Sequence, residues 1–369
     1  MVIVYVSILY GSPSAGPTYS IPSQISAQSK YDQVFWYNMV NPSTSKWSDK
    51  LMEFRSTVEC YHDLKDYPEG KIASLPAPFC NPDLVIVEQF YKFSNIKIVN
   101  EIKKYNYIIV PRGELTESAQ RQKKYKKIIG NLLMFSRFAR KAMCIQYLTE
   151  QERIDSTSKW NDNSIIIPNG THTPASTFER NNPSKSVEII SIGRINKYHK
   201  GIDLLIDACS SIKYSLAQSN CQIYLYGPDD VGQIEELERE LSEKGLKDII
   251  GFKGPIYGNE KINILLKADA FIMTSRFEGH PTGLIEALSY ALPCLVTTGS
   301  NMRKEIENAN AGWGADNTVE SIRASLLKLI ADFSSFSEKG KNAYKLALTY
   351  DWDQIAKKSH AAYERLLDK

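Results

Sequence analysis

Two glutamates and two cations stand where side chains can do chemistry. Glu278 and Glu286 lie in the run Ser275-Arg276-Phe277-Glu278-Gly279-His280-Pro281-Thr282-Gly283-Leu284-Ile285-Glu286, with seven residues between them. Gly279, Pro281 and Gly283 keep the loop tight and let backbone approach a ligand. A helix is expected to start near Gly283. Glu286 then sits in its first turn, and helical side chains lean back toward the N-terminus, so Glu286 points at the same space as Glu278. Behind it runs ALSYALPCLV, almost wholly apolar, and a carboxylate at such an edge needs partners. Glu286 is not a capping-box residue, because Thr282 lies four positions back rather than three. Glu278 as an ordinary surface acid stays open. The second pair is in Gly193-Arg194-Ile195-Asn196-Lys197-Tyr198-His199-Lys200-Gly201. Arg194 offers a planar fork and Lys200 a point charge, a pair suited to gripping a diphosphate, with the dipole of the helix that opens at Lys200-Gly201 adding to it. The same residues also read as a solvated basic loop.

The elements that must position these loops follow from alternating apolar runs and amphipathic stretches. Strands are expected at 2–9, 33–37, 84–87, 107–110, 143–148 and 164–167, then at 187–192, 222–226, 249–252, 270–274 and 294–297. Helical patterns separate them, among them 95–104, 118–141, 202–215 and 233–244, and a closing helix spans 353–367. Strand–helix alternation predicts parallel sheets covered on both faces, and here it occurs twice. The polar stretch 169–186, rich in Pro, Asn, Ser and Thr, divides the two halves. The expected organisation is a first α/β domain at 1–170, a linker at 171–186 and a second at 187–350, with the C-terminal helix, 351–369, packing back on the first. Two doubly wound domains would face a central cleft, and ligands bind at the carboxyl ends of such strands. Both loops follow a strand directly.

Composition removes other classes. With 369 residues, 43% hydrophobic and 24% charged, the chain has the makings of about two globular domains. A net charge of +3 is not that of a polycation, and no nucleic-acid partner is expected. No apolar run reaches the ~18–20 residues of a membrane helix, and the opening MVIVYVSILYG reads as a buried strand rather than a secretory signal. The six cysteines are scattered without a C-x-x-C pair, which favours a reducing compartment over a zinc ribbon or disulfide framework. The Asn169-Gly170-Thr171 sequon is taken as chance. No H-E-x-x-H, P-loop or G-x-S-x-G motif is present.

Four segments, in order, resemble the family 4 retaining glycosyltransferases of the GT-B fold: IPNG (167–170), IGRINKYHKGIDLLIDA (192–208), IIGFKGPI (249–256) and FEGHPTGLIEAL (277–288). The last three match the family's Gly-Arg…Lys-Gly donor motif, its base-side strand and loop, and its paired-glutamate motif. The first domain matches more loosely. The resemblance implies two Rossmann-like domains and transfer of a sugar from a nucleotide-diphosphate donor, UDP favoured, to a hydroxyl with retention of configuration. It implies that Arg194 and Lys200, beside Gly193, hold the diphosphate, and that Glu278 contacts the transferred sugar. Backbone around Gly279, His280, Pro281, Thr282, Gly283 and Leu284 would join Glu278, while Glu286 would accept hydrogen bonds from the ribose hydroxyls. Phe252 and Lys253 would lie near the base. Gly16, in the loop GSPSAGP (11–17) after the opening strand, matches in part the family's Gly-containing loop near the donor diphosphate, being followed by Pro17 rather than a second Gly. Arg112, in Pro111-Arg112-Gly113-Glu114, stands where many members carry a His near the reacting carbon. An arginine stays protonated and cannot be a general base, so its catalytic role would be to stabilise phosphate or sugar oxygens, with Glu114 as a substitute polar contact. No Asp-x-Asp follows a strand, and no catalytic metal and no cofactor beyond the nucleotide-sugar co-substrate are expected.

One region lies outside that motif set. From 118 to 149 there is no Asp or Glu, yet eight cations fall there: Arg121, Lys123, Lys124, Lys126, Lys127, Arg137, Arg140 and Lys141. A basic amphipathic helix suits an anionic membrane surface. The alternative is a solvated helix with one buried face. The first reading predicts a peripheral protein on the cytoplasmic face of the cell membrane with a lipid-linked saccharide acceptor, in bacterial surface polysaccharide assembly. A homo- or hetero-oligomer is left open. The rival from another class is a non-catalytic nucleotide-sugar-binding subunit of a membrane-associated complex. Phosphorylases and nucleotide-sugar epimerases of the same fold fit the glutamates and the Arg–Lys loop less well.

Overall fold

A computed structural model describes residues 1–13, 15–121, 123–156, 160–174 and 180–368. The chain divides into two compact units, Met1–Gly170 with Trp352–Lys369, and Thr171–Asp351.

The first unit is built on seven parallel strands among the described residues: β1 (Val2–Ser7), β2 (Gln33–Asn38), β3 (Tyr61–Asp63), β4 (Leu84–Glu88), β5 (Tyr107–Val110), β6 (Cys144–Tyr147) and β7 (Ser164–Ile166), in the order β3-β2-β1-β4-β5-β6-β7. β1 shows why the runs are strands. Its residues alternate between faces, and both faces are buried, so the sequence is a mostly β-branched apolar run instead of an apolar–polar alternation. Ile3 and Tyr5 join one core with Ile21, Ile25, Trp352 and Tyr363, while Val4 and Val6 join the other with Val99, Ile102 and Phe138. The closing helix, Trp352–Leu367, belongs to this unit. Its Tyr363 hydroxyl donates to Gln146 at 2.8 Å, and its His360 ring pairs with Asp32 at 3.0 Å.

The second unit holds six parallel strands among the described residues: β8 (Val187–Ile192), β9 (Cys221–Tyr226), β10 (Ile250–Phe252), β11 (Ala270–Met273), β12 (Cys294–Thr297) and β13 (Gly312–Ala315), ordered β10-β9-β8-β11-β12-β13. In each unit the order runs outward from the first strand in both directions. The topological switch point therefore lies between β1 and β4 in one and between β8 and β11 in the other. The stretch 171–186 belongs by its contacts to the second unit, and its residues 175–179 lie outside the described ones. Thr171 bridges to Asp351, and the Arg180 guanidinium donates to Leu265, Ala268 and Tyr290 carbonyls.

One expectation needs correction, and two strands go beyond those expected. β3 and β13 were not foreseen, because three or four residues such as Tyr-His-Asp or Gly-Trp-Gly-Ala are too short and mixed to show a period. The helix expected over 118–141 is broken into Glu117–Arg121, Lys124–Gly130, a π turn at Asn131–Phe135 and Ser136–Lys141. Lys123 takes φ +51°, which no α-helix contains. Gln122, beside it, lies outside the described residues, as does Ser14 in the Gly16 loop.

Candidate functional site

The switch point of the second unit brings the two loops together. Lys200 follows β8, Glu278 follows β11, and Lys200 Nζ lies 2.6 Å from Glu278 Oε1. The Ser275 hydroxyl donates to the same oxygen at 2.6 Å. Three glycines make this approach sterically feasible. Gly201 has φ +62°, and a Cβ there would lie 2.1 Å from the Thr274 carbonyl oxygen. A Cβ on Gly299 would lie 2.2 Å from the Ser275 carbonyl oxygen, and one on Gly283 3.0 Å from that of Ile192. Gly193 lines a pocket with Arg194, Lys200, Thr274 and Ser275. Arg194 is exposed and makes no hydrogen bond or ion pair among the described residues. One cation is thus spoken for by a carboxylate and the other is free.

Burial pushes the Glu278 carboxyl up, but the Lys200 ammonium and neighbouring His199 outweigh it and hold the group below its ordinary value. His199 was not singled out from sequence. Its ring stacks on Phe277 at 4.3 Å and its Nε2 meets the Phe277 carbonyl at 2.7 Å. Burial lowers its pKa despite the pull of Glu278. Asn301, in a left-handed conformation at φ +59°, donates to the carbonyls of Glu278 and Gly279 and pins the loop from the other side.

Glu286 lies in the helix Thr282–Ser289, which Pro281 caps, and its carboxylate is clasped by Lys261 at 2.7 and 3.0 Å. Lys261 was also missed. The signal was its place in the helix Gly258–Lys267, one loop beyond the quoted 249–256 segment. His280 is buried with its ring 5.1 Å from that of Tyr350. The Leu284 side chain is placed in the core and its N–H donates to the Pro281 carbonyl at 3.1 Å. Phe252 packs on the core, and Lys253 Nζ lies 4.6 Å from the Tyr224 ring centre.

In the first unit, Arg112 differs from its expected setting. It takes φ +51° and turns its side chain inward, 4% exposed, against a fully buried Glu88 at 2.7 Å. Its remaining donors reach Ser20 at 3.2 Å, Asn169 at 2.9 Å and Gln24 at 2.9 Å. Four of the five guanidinium N–H groups are taken by this chain's own acceptors. Glu114 is likewise engaged, accepting from the Phe90 and Tyr91 N–H groups at 2.6 and 2.9 Å. Gly16 precedes the helix Pro17–Gln28 in ordinary right-handed backbone, and a Cβ there would meet no atom within 4 Å.

The basic segment shows its apolar residues to solvent. Tyr125, Ile128, Ile129, Leu132 and Leu133 are all more than half exposed, Leu132 at 80%, while Phe135 and Phe138 are buried. Among the described residues no helix is long and apolar enough to cross a membrane.

Residues 173–346, nearly the whole second unit, match the family model "Glycosyl transferases group 1". An uncharacterized glycosyltransferase of Methanocaldococcus jannaschii is 25% identical over 178 residues, covering 48% of this chain and 44% of that protein. The mannosylfructose-phosphate synthase of Agrobacterium fabrum is 24% identical over 182 residues, covering 48% and 40%. The chain thus spans less than half the length of these curated relatives. Among solved structures, Anabaena HepE in complex with UDP aligns with a TM-score of 0.75 at 14% identity, over 99% of this chain and all of that one. The two parallel-sheet units are those of the GT-B glycosyltransferase structures.

Proposed function

We propose that this chain transfers a sugar from a nucleotide-diphosphate donor, UDP favoured, to a hydroxyl acceptor with retention of configuration. The observation that carries the reading is the switch point of the second unit, where Lys200 pairs with Glu278 and an Arg194 unpaired among the described residues lines the same pocket as Lys200. In this reading Arg194 and Lys200 hold the diphosphate and stabilise its charge as it leaves, a kind of preorganised contribution worth ~3–4 kcal/mol per donor elsewhere. Lys200 exchanges part of its contact with Glu278 for the phosphate, which frees a Glu278 oxygen to accept from a sugar hydroxyl. Glu286, oriented by Lys261, takes the ribose, and the backbone at Phe252 and Lys253 lines the base. The leaving phosphate helps deprotonate the acceptor on the same face. These protein cations do the neutralising, so activity is expected to survive excess EDTA, and its restoration by Mn²⁺ or Mg²⁺ after chelation would overturn that part.

The acceptor is a lipid-linked saccharide in bacterial surface polysaccharide synthesis, and the protein sits peripherally on the cytoplasmic membrane face. The support is the exposed Tyr125–Leu133 stripe set among the exposed Lys124 and Lys126. Near an anionic surface each such cation adds about 1 kcal/mol within a Debye length of ~8 Å. Sedimentation with anionic vesicles should fall steeply with salt and again when Leu132 and Leu133 become Ser. Equal binding by parent and variant would remove the stripe as the anchor.

The deciding experiment is a panel of nucleotide sugars. The correct donor at 100 times its Kd should stabilise the protein by ~2.7 kcal/mol and slowly release nucleotide diphosphate. Stabilisation without release would favour a second reading, a non-catalytic nucleotide-sugar-binding subunit. The inward turn of Arg112 is what favours it, since the group expected near the reacting carbon is used internally.

A further inference from the structure

Arg180 stands in the stretch expected to be a linker, yet its guanidinium is engaged wholly within the second unit. Nε and Nη2 donate to the Tyr290 carbonyl at 2.9 and 2.7 Å, and Nη2 also to that of Leu265 at 2.5 Å. Nη1 donates to the carbonyls of Ala268 and Leu266 at 2.5 and 3.4 Å. These five hydrogen bonds equal the number of N–H groups a guanidinium has. The acceptors belong to the C-terminal ends of two helices. Leu265, Leu266 and Ala268 close the helix Gly258–Lys267, and Tyr290 closes the helix Thr282–Ser289. The last carbonyls of a helix have no partner within it, and the negative end of its dipole favours a cation. One guanidinium meets both needs for two helices at once. Burial pushes its pKa down to about 10, which leaves it charged at neutral pH. Gly340 lets a third helix, Phe336–Leu348, close over this point: a Cβ there would lie 2.6 Å from the Ala291 carbonyl oxygen and 3.7 Å from Arg180 Cδ.

The same two helices carry Lys261 and Glu286, whose side chains meet at 2.7 and 3.0 Å. Arg180 and this ion pair are therefore two cross-links between one pair of helices. The guanidinium anchor is close to both residues along the chain. The Tyr290 N–H returns to the Glu286 carbonyl at 3.3 Å, one turn back, and Leu265 lies one turn beyond Lys261. Sliding one helix against the other would draw the Lys261 ammonium off the carboxylate. The Lys261–Glu286 pair is partly exposed on both sides, and such pairs add little rigidity of their own. Hydrogen bonds from a charged donor are the stronger contacts, so the setting of the helices is held at the Arg180 end.

We propose that Arg180 is a positioning residue of the donor site: it holds the two helices in the setting at which Lys261 orients Glu286, and so sets the affinity for the ribose hydroxyls. This rests on the reading of Glu286 as the ribose contact and adds to it a residue that acts only through others. Its N–H groups all face the chain's own carbonyls, which leaves none for a ligand.

The test compares, by isothermal titration calorimetry on the full chain, UDP with 2′,3′-dideoxy-UDP, which lacks the ribose hydroxyls. If the nucleotide-sugar panel selects another base, the matching pair of that nucleotide replaces them. The parent should prefer UDP. Arg180→Met keeps the aliphatic stem and should weaken UDP roughly tenfold, the size of one hydrogen bond to a charged group, while dideoxy-UDP binds as before. A general loss of fold would weaken both. In Glu286→Ala the carboxylate is gone, so adding Arg180→Met should weaken UDP no further. In turnover the donor KM should rise more than kcat falls, because a ribose contact is shared by ground and transition states. A partial loss equal for both nucleotides, an unchanged UDP affinity, or additive losses in the double variant overturns the proposal. If Arg180→Met binds neither nucleotide, Arg180→Lys carries the test. One ammonium keeps the charge but does not span both helix ends, and a selective UDP loss of roughly threefold is expected. Loss of both nucleotides there too would show that Arg180 serves the fold alone, which also overturns it. A parent that binds no nucleoside diphosphate would sink the glycosyltransferase reading, and one that binds UDP and dideoxy-UDP equally would sink the ribose assignment, each taking this inference with it. A parent preference that persists undiminished in Arg180→Met sinks this inference alone.

Discussion

Removing Lys200 takes the ion partner from a largely buried carboxylate, and removing Arg194 leaves nothing unpaired. That asymmetry separates two cations that sequence alone treats as equivalent. Arg194→Ala should lower kcat/KM by roughly 10²–10³-fold, as loss of a charge-stabilising donor does, with unfolding in urea unchanged. Lys200→Ala should lose activity similarly and also stability, by about 1–3 kcal/mol, because the largely buried Glu278 loses its ion partner and keeps only the Ser275 hydroxyl. Equal stability of the two variants would count against a structural share for the Lys200–Glu278 pair. A second residue-scale expectation concerns Glu152, which is fully buried and accepts from the N–H groups of Leu148 and Gly113. Burial pushes its carboxyl up to about 7, against the pull of those donors and of Arg112. Its folded value is thus above the unfolded one of about 4.3. Between these values the native state holds a proton that the unfolded chain has released. Raising pH from 5 to 8 therefore removes stability, on the order of 3 kcal/mol. Urea titrations at pH 5 and pH 8 should show a smaller loss for Glu152→Gln than for the parent. An equal loss would show that Glu152 does not titrate in this window.

At the scale of elements, a left-handed glycine and an inward-turned arginine set where the loops go. Gly201 starts the helix Ile202–Ser211 immediately after Lys200. Gly201→Ala adds a strained conformation worth about 1–3 kcal/mol and a Cβ 2.1 Å from a carbonyl oxygen. It should lower the melting temperature and weaken donor binding more than it affects any step after binding, measured as KM against kcat. A change in kcat alone would contradict that placement. In the first unit Arg112 ties the end of β4 to the helix Pro17–Gln28 and to Asn169. Arg112→Met should cost about 3–5 kcal/mol by stranding Glu88, and the double variant Arg112→Met/Glu88→Gln less than the sum of the singles. Additive losses would mean the two do not act as a pair. Both devices lie where sequence is least informative. A lone Arg after a strand reads equally as surface or substrate contact, and only its four acceptors, drawn from 20, 24, 88 and 169, decide between them.

At the scale of the molecule, the last helix returns to the first unit across some 180 residues of the second. Trp352, Ile355, Ala356 and Tyr363 are buried in the first unit's core. Ending the chain at residue 351 would expose that apolar face, so the truncated protein should lose the unfolding transition of the first unit while keeping that of the second. Calorimetry resolves the two. Retention of both transitions would show that the helix is dispensable to the core.

The alternation of apolar runs with amphipathic stretches was enough to specify two parallel α/β sheets, because strands buried on both faces must be continuous apolar runs. β5, β8 and β12 fall on the residues expected of them. The loops that carry Arg194, Lys200, Glu278 and Glu286 were legible for a related reason: glycine and proline mark where backbone must turn tightly after a strand. Partnership was not legible. Lys200 meets Glu278 and Lys261 meets Glu286 only because β8, β10 and β11 deliver them to one end of one sheet, and no spacing along the chain encodes which cation a carboxylate will find. The breaks at Lys123 and Asn131–Phe135, which send Leu132 outward and Phe135 inward, also escaped a periodic reading, since helical periodicity assumes an unbroken screw. Sequence periodicity reports the backbone's local geometry. The choice of ion partners and the direction of each side chain are settled by packing between distant segments, which tertiary structure alone supplies.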